Sequence, residues 1–158
     1  MTKVTDALLA AFEMAKKGDF AEAYASLEPQ FERPVTGADL VAFQRLVRRV
    51  PVADPVLRYA LALVRASRPK SPTCPETIKK WVAFGGSVRA AQYLVLAGKA
   101  RALTSGRYHL SFDDIRALAH PVLRHRMLTN FHAQSEGVTS DVLIDRLLDA
   151  VPTPRSGM

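Results

Sequence analysis

Apolar side chains recur at helical rather than strand spacing along most of the chain, and capping or breaking residues bound each run. Leu8, Leu9 and Phe12 share one face of a segment from Val4 to Lys17, and Gly18 suits the position just past its end. Asp19 is placed to cap a second short helix, Phe20 to Glu28, which Pro29 closes. The two segments predict a helical hairpin over residues 1–29 whose apolar face needs cover from elsewhere.

The same grammar continues downstream. Thr36 and Asp39 have the spacing of a capping box, with Asp in the place of the usual Glu. The helix they open runs to Val50, with Leu40, Phe43, Leu46, Val47 and Val50 inward and Arg45, Arg48 and Arg49 outward, and Pro51 stops it. Asp54 followed by Pro55 restarts a helix over Val56 to Ser67, with Leu57, Leu61 and Val64 at core spacing. A stiff polar connector, Arg68 to Pro75, leads into a helix expected through Trp81 to Phe84, which Gly85, Gly86 and Ser87 break and re-cap. Val88 to Leu103 is the longest helical run. Ser111 and Asp114 signal another cap, and Thr139 opens a final helix carrying Leu143, Leu147 and Val151 on one face. Tyr108–Leu110 alternates like a strand and is expected to pair with Leu128–Phe131. The fold expected is an all-α bundle with at most a short two-stranded ribbon. It divides as a hairpin over 1–29, a helical domain over 30–153 and a frayed tail over 154–158.

Composition narrows the chemistry. The chain has 158 residues, 48% apolar and 23% charged, with Lys plus Arg at 22 against Asp plus Glu at 15, a net +7 that favours an anionic partner. Cys74 is the only cysteine, which rules out an internal disulfide and a multi-cysteine metal site. No apolar stretch is long enough to span a bilayer, the first seventeen residues lack a signal peptide's apolar core, and a reduced cytoplasmic setting is the expectation. His109, His120, His125 and His132 have no helical i, i+4 pairing that would suggest zinc, so no metal is expected. The basic residues are scattered, with few aromatics among them, which argues against nucleic acid as the partner. The sequence contains no G-x-x-x-x-G-K-[ST] loop, no G-x-S-x-G elbow and no H-E-x-x-H pair, so no catalytic residues are assigned to it.

Gly85-Gly86-Ser87-Val88-Arg89 carries the most chemistry. Two glycines let backbone approach closely, Ser87 is expected to cap the helix, and the first-turn amides point outward at the positive end of the helix dipole. Arg89 sits where its guanidinium can join those amides on a phosphate. A capped helix start with a surface arginine fits the same residues.

Longer stretches carry a resemblance. Gln44-Arg-Leu-Val-Arg-Arg-Val-Pro-Val-Ala-Asp-Pro-Val-Leu-Arg-Tyr-Ala60 resembles the start of the helical lid of MoxR-type AAA+ ATPases. Trp81-Val-Ala-Phe-Gly-Gly-Ser-Val-Arg-Ala-Ala91, Gly106-Arg-Tyr-His-Leu-Ser-Phe-Asp-Asp114 and Pro121-Val-Leu-Arg-His-Arg126 continue it, so that it covers about residues 31–153. The resemblance implies that Arg89 is the second sensor arginine, reaching the γ-phosphate of ATP from the lid, with Ser87 and Gly86 beside it in the nucleotide site. Val88 replaces the family's usual Pro, and His120 stands where Pro is common. The family's ATP-binding core is not recognisable in these 158 residues. The hairpin, whose Lys17-Gly-Asp-Phe-Ala-Glu-Ala-Tyr24 resembles half of a tetratricopeptide repeat, does not match the family. The chain is therefore read as a lid apart from its motor: a fragment, a truncated relative or a recombined chain.

Implied by the resemblance are ATP with magnesium, bound only through a partner P-loop domain, and partners among AAA+ core domains, ring neighbours and a protein client handled in chaperone fashion. A stand-alone helical adaptor for protein partners is the alternative.

Overall fold

The structure, a computed structural model, describes residues 35–154 together with Ala10 and Ala11. The hairpin expected over residues 1–29 otherwise lies outside the described residues, as do 155–158 of the expected tail.

Eight helices and one two-stranded ribbon make up the described body. Helix α1 (Gly37–Arg49) begins in the expected capping box: Thr36 Oγ1 accepts from the Asp39 amide, and the Asp39 carboxylate accepts from the Thr36 amide at 2.9 Å. Helix α2 spans Asp54–Ala66, and its N-cap is Ala53 rather than Asp54, which starts the helix itself beside Pro55. A single turn α3 (Glu76–Lys79) precedes strand β1 (Val82–Phe84), and α4 (Val88–Thr104) follows. Two short helices, α5 (Phe112–Ala117) and α6 (Ala119–Leu123), lead to β2 (Leu128–Thr129). The turn α7 (Phe131–Ser135) and helix α8 (Ser140–Ala150) complete the described body.

The core lies where α2, α4, α6 and α8 meet. Leu63, Leu94, Ile115, Leu123, Leu143, Ile144 and Leu147 are fully enclosed there. Ala60, Ala90 and Ala91 are small residues buried between α2 and α4, which lets the two helices approach closely. Gly98, farther along α4, makes room for Leu110 instead, because a Cβ there would lie 2.5 Å from the Leu110 side chain.

Three expectations are corrected. First, the ribbon joins β1 to β2, antiparallel, with Val82 opposite Thr129 and Phe84 opposite Leu128, and Tyr108–Leu110 takes no part in it. Leu110 is instead buried against Gly98, with its amide toward the Pro51 carbonyl at 3.4 Å. Second, the helix expected through Phe84 stops at Lys79, because the Trp81 carbonyl accepts from the Asn130 amide across the ribbon at 2.9 Å. Third, Leu57 and Leu61 are exposed, and Val56, Tyr59, Ala60, Leu63 and Val64 form the buried stripe. Helix α2 carries two overlapping apolar stripes, and α4 packs on the one containing Ala60. Leu40, expected inward on α1, is also exposed.

Candidate functional site

The glycine pair before α4 is seated on the end of α2. The Gly86 amide donates to Ser67 Oγ at 2.9 Å, and Ser67 Oγ donates in turn to the Val64 carbonyl at 2.7 Å. Arg68 Nε donates to the Gly86 carbonyl at 2.7 Å. Ser67 is wholly buried, so this junction forms away from water, where an unmade hydrogen bond is costly. At Gly85 the glycine is needed for clearance: a Cβ would lie 2.2 Å from the Ser67 carbonyl oxygen and 2.7 Å from Arg68 Cα, both backbone atoms. At Gly86 a Cβ would sit 3.2 Å from Ala90 Cβ and 3.3 Å from Leu123 Cδ2, a tight fit in the core.

Ser87, Val88 and Arg89 emerge from this buried junction into solvent. Ser87 is the N-cap residue with extended backbone, but its hydroxyl makes no capping bond, which corrects the expected side-chain cap. The first-turn amides are thus left without a side-chain acceptor. Helices α1, α2, α5 and α8 each carry an acidic residue in the first turn, and α4 carries none. Arg89 has no carboxylate partner among the described residues. Uncapped amides, a positive dipole end and an unpaired guanidinium together suit an anion. Gly86 differs from its two neighbours: its amide is buried and already donated, so it shapes the turn and leaves outward donation to the residues after it. No carboxylate stands in that first turn to bind magnesium, so magnesium ligands would have to come from another body.

A second polar cluster escaped the sequence reading beyond its cap. The Asp114 side chain is fully enclosed and takes bonds from Arg101 Nη1 at 2.6 Å, from Arg107 through both terminal nitrogens at 2.5 and 2.7 Å, and from Ser111 Oγ at 2.7 Å. Burial pushes the Asp114 carboxyl up, but the donors from Arg107, Ser111 and Arg101 outweigh it and hold the group well below the usual carboxylate range. The cluster ties α4 to α5 and has no unpaired buried atom to offer a ligand. The Ser-x-x-Asp spacing announced the cap, but nothing local announced the two arginines. The same holds for Ser67 and Arg68, for which the adjacent glycine pair was the available signal of a close neighbour. His120 places Nε2 2.8 Å from Asp145 and Nδ1 3.3 Å from Asp141, bridging α6 to α8. Cys74 is half-buried at the edge of the core, and burial pushes its thiol up, away from thiolate reactivity.

Comparison with known proteins agrees with this architecture. Residues 76–147 match the family model described as AAA lid domain. Chaperone MoxR1 of Mycobacterium tuberculosis is 28% identical over 127 residues, covering 80% of this chain and 34% of that protein. The uncharacterized protein YeaC of Bacillus subtilis is 29% identical over 123 residues, covering 78% of this chain and 36% of that protein. The chain thus spans about a third of the length of the curated relatives it matches. A crystal structure from Cytophaga hutchinsonii, of a protein classed by inference as an ATPase, superposes with a TM-score of 0.72 at 23% identity, over 85% of this chain and 43% of that one. Residues 76–147 are thus similar to an AAA lid domain, and about four-fifths of the chain is similar to Chaperone MoxR1.

Proposed function

We propose that this AAA lid domain senses the phosphates of a nucleotide held by a separate P-loop body, with Arg89 as the contacting residue. The carrying observation is the start of α4: an exposed, unpaired Arg89 on a helix turn whose amides have no side-chain cap. The site would consist of Arg89 and Ser87 with the amides after it, and Gly86 would set the turn beneath them. Residues 55–75 and 85–112 contain no Asp or Glu, so Arg65, Arg68 and Lys70 lie in the same stretches as Arg89 without local neutralisation. ATP with magnesium would be bound chiefly by the P-loop body, which would supply the phosphate cradle and the metal ligands. The lid's own share is one charge-assisted contact, which strengthens as the closing bodies exclude water. Nucleotide state would then bias how the lid sits on that body or on a ring neighbour. A protein client handled in chaperone fashion and a cytoplasmic setting belong to the same reading. Among the described residues, no helix is long and apolar enough to cross a membrane.

The test is ATP turnover by a MoxR-type P-loop core supplied with the full chain. Stimulation is expected with the native chain. Arg89→Ala is expected to lower turnover at least about tenfold, which is about 1.4 kcal/mol and below what a lost charge-stabilising donor commonly costs. An unchanged rate would remove Arg89 from this role. The second reading, a protein-binding adaptor, draws on the exposed Phe84 and Leu128 of the ribbon and on Phe131, which is 83% exposed. It would be favoured by a chain that captures protein partners equally well with and without Arg89.

A further inference from the structure

We infer that Ser67 is the positioning residue of the phosphate site: it holds the Gly85–Gly86 turn on the end of α2 and so sets where Arg89 points. The inference rests on the assignment of Arg89 above. Ser67 cannot touch an anion itself, because it is wholly buried. Its hydroxyl links two elements instead, donating to Val64 within α2 at 2.7 Å and accepting from the Gly86 amide at 2.9 Å. Arg68 adds a second tether on the other side of the same residue, through Nε to the Gly86 carbonyl in the next peptide unit at 2.7 Å. With both hydrogen-bonding groups of Gly86 held from α2, the turn has little freedom to rotate. Arg89 stands three residues farther on, in the first turn of α4, and inherits that orientation. The close seat at Gly85, where the Ser67 carbonyl leaves no room for a Cβ, fixes the same junction by shape. Two independent constraints, one polar and one steric, therefore converge on a turn that local sequence alone would leave loose. A sensing side chain needs this, since a small displacement of a contacting group costs much of its effect.

Ser67 is uncharged, so any influence it has on anion binding must pass through geometry. The experiment titrates the full chain with inorganic triphosphate and follows the amide resonances of Ser87, Val88 and Arg89 by NMR, well below the unfolding temperature of every variant. The native chain is expected to bind in the range of about 1 mM, as a single exposed anion site does. Arg89→Ala should abolish most of the response, and its failure to do so would remove the site itself. Given that loss, Ser67→Ala should weaken binding roughly fivefold, well short of what a full ångström of misplacement costs. In the Arg89→Ala background, Ser67→Ala should add nothing, since the two act as one unit. Native-like affinity in Ser67→Ala, or an undiminished Ser67 effect without Arg89, would overturn the positioning role while leaving Arg89 in place. A variant-free check stands beside these: slow hydrogen exchange at the Gly86 amide of the native chain is expected, and exchange at the rate of an open loop would overturn the proposal.

Discussion

At the scale of single residues, Asp114 shows how a buried charge is made tolerable. Its carboxylate caps α5 and receives two guanidinium groups, whose side chains remain 43% exposed at Arg101 and 33% exposed at Arg107. Removing one partner of a buried pair commonly costs about 3–5 kcal/mol. Here the arginines can rehydrate, so Asp114→Ala is expected near the lower end, about 3 kcal/mol, read from urea or thermal unfolding. The pH dependence has a definite sign. The folded carboxyl is held below its unfolded value of about 3.9, so the stabilisation is complete above that value and drains away as pH falls. Acid unfolding should begin below about pH 5 and be shallower in Asp114→Asn, and an acid profile unaltered by that substitution would contradict the assignment. Asp141 is lowered too, by Arg124 first and His120 second, but it is exposed and contributes little to that profile.

At the scale of elements, two junctions decide the shape of the domain. The first is α2 against the start of α4. Gly85→Ala would push a methyl group into the Ser67 backbone, and because backbone cannot yield as a side-chain tip does, a loss of about 1–3 kcal/mol is expected, measured as a lowered urea midpoint with unchanged slope. The second is the ribbon. Trp81 stacks on His132 with ring centroids 4.7 Å apart, Lys80 lies over the indole at 4.4 Å, and the Asn130 side chain donates to the Lys80 carbonyl at 2.8 Å. Trp81 is the only tryptophan, so its emission reports on this junction. His132→Ala should change that emission while leaving the far-ultraviolet circular dichroism intact, because the stack is peripheral to the core formed by α2, α4, α6 and α8. Loss of the circular dichroism together with the emission change would show that the stack is needed to hold the core. Caps were readable from sequence at Thr36, Ser111, Asn130 and Thr139, in that a polar side chain stands within three residues of the amide it serves. Of these, Asn130 went unread because Leu128–Phe131 is expected as a strand, whereas the strand ends at Thr129 and Asn130 caps α7.

At the scale of the whole molecule, charge is unevenly distributed. α2, the connector after it and α4 run without a carboxylate from residue 55 to 75 and from 85 to 112, whereas α8 carries Asp141, Asp145 and Asp149 one turn apart. Association of the α4 end with an anionic body should therefore weaken with added salt, over the range in which screening shortens from about 30 to 3 Å. The full chain by itself is expected to show no ATP turnover, since its sequence encodes no phosphate cradle. Robust turnover would reverse the division of labour proposed for it. Residues 30–153 are likewise expected to unfold as one cooperative unit when separated from residues 1–29, observed as coincident transitions by tryptophan emission and circular dichroism.

The main helices, the caps at Thr36, Ser111 and Thr139 and the place of the Gly85–Arg89 turn followed from the sequence alone, because each depends on residues within about one turn of one another. The lid resemblance was legible for a similar reason, since it lay in short strings of consecutive residues. What only the tertiary structure decided were choices between local equals. Leu57 with Leu61, and Val56 with Ala60 and Leu63, are both good apolar stripes, and the approach of α4 selects the second. Tyr108–Leu110 reads as a strand and Val82–Phe84 as the end of a helix, yet the partner at Leu128–Thr129 takes the second, which Trp81 and Asn130 bring into register. Ser67 reads as an ordinary helix-end serine until Gly86, nineteen residues later, arrives at its hydroxyl. Each of these choices is settled by a contact between distant parts of the chain, and periodicity along one segment carries no information about which distant surface will cover it.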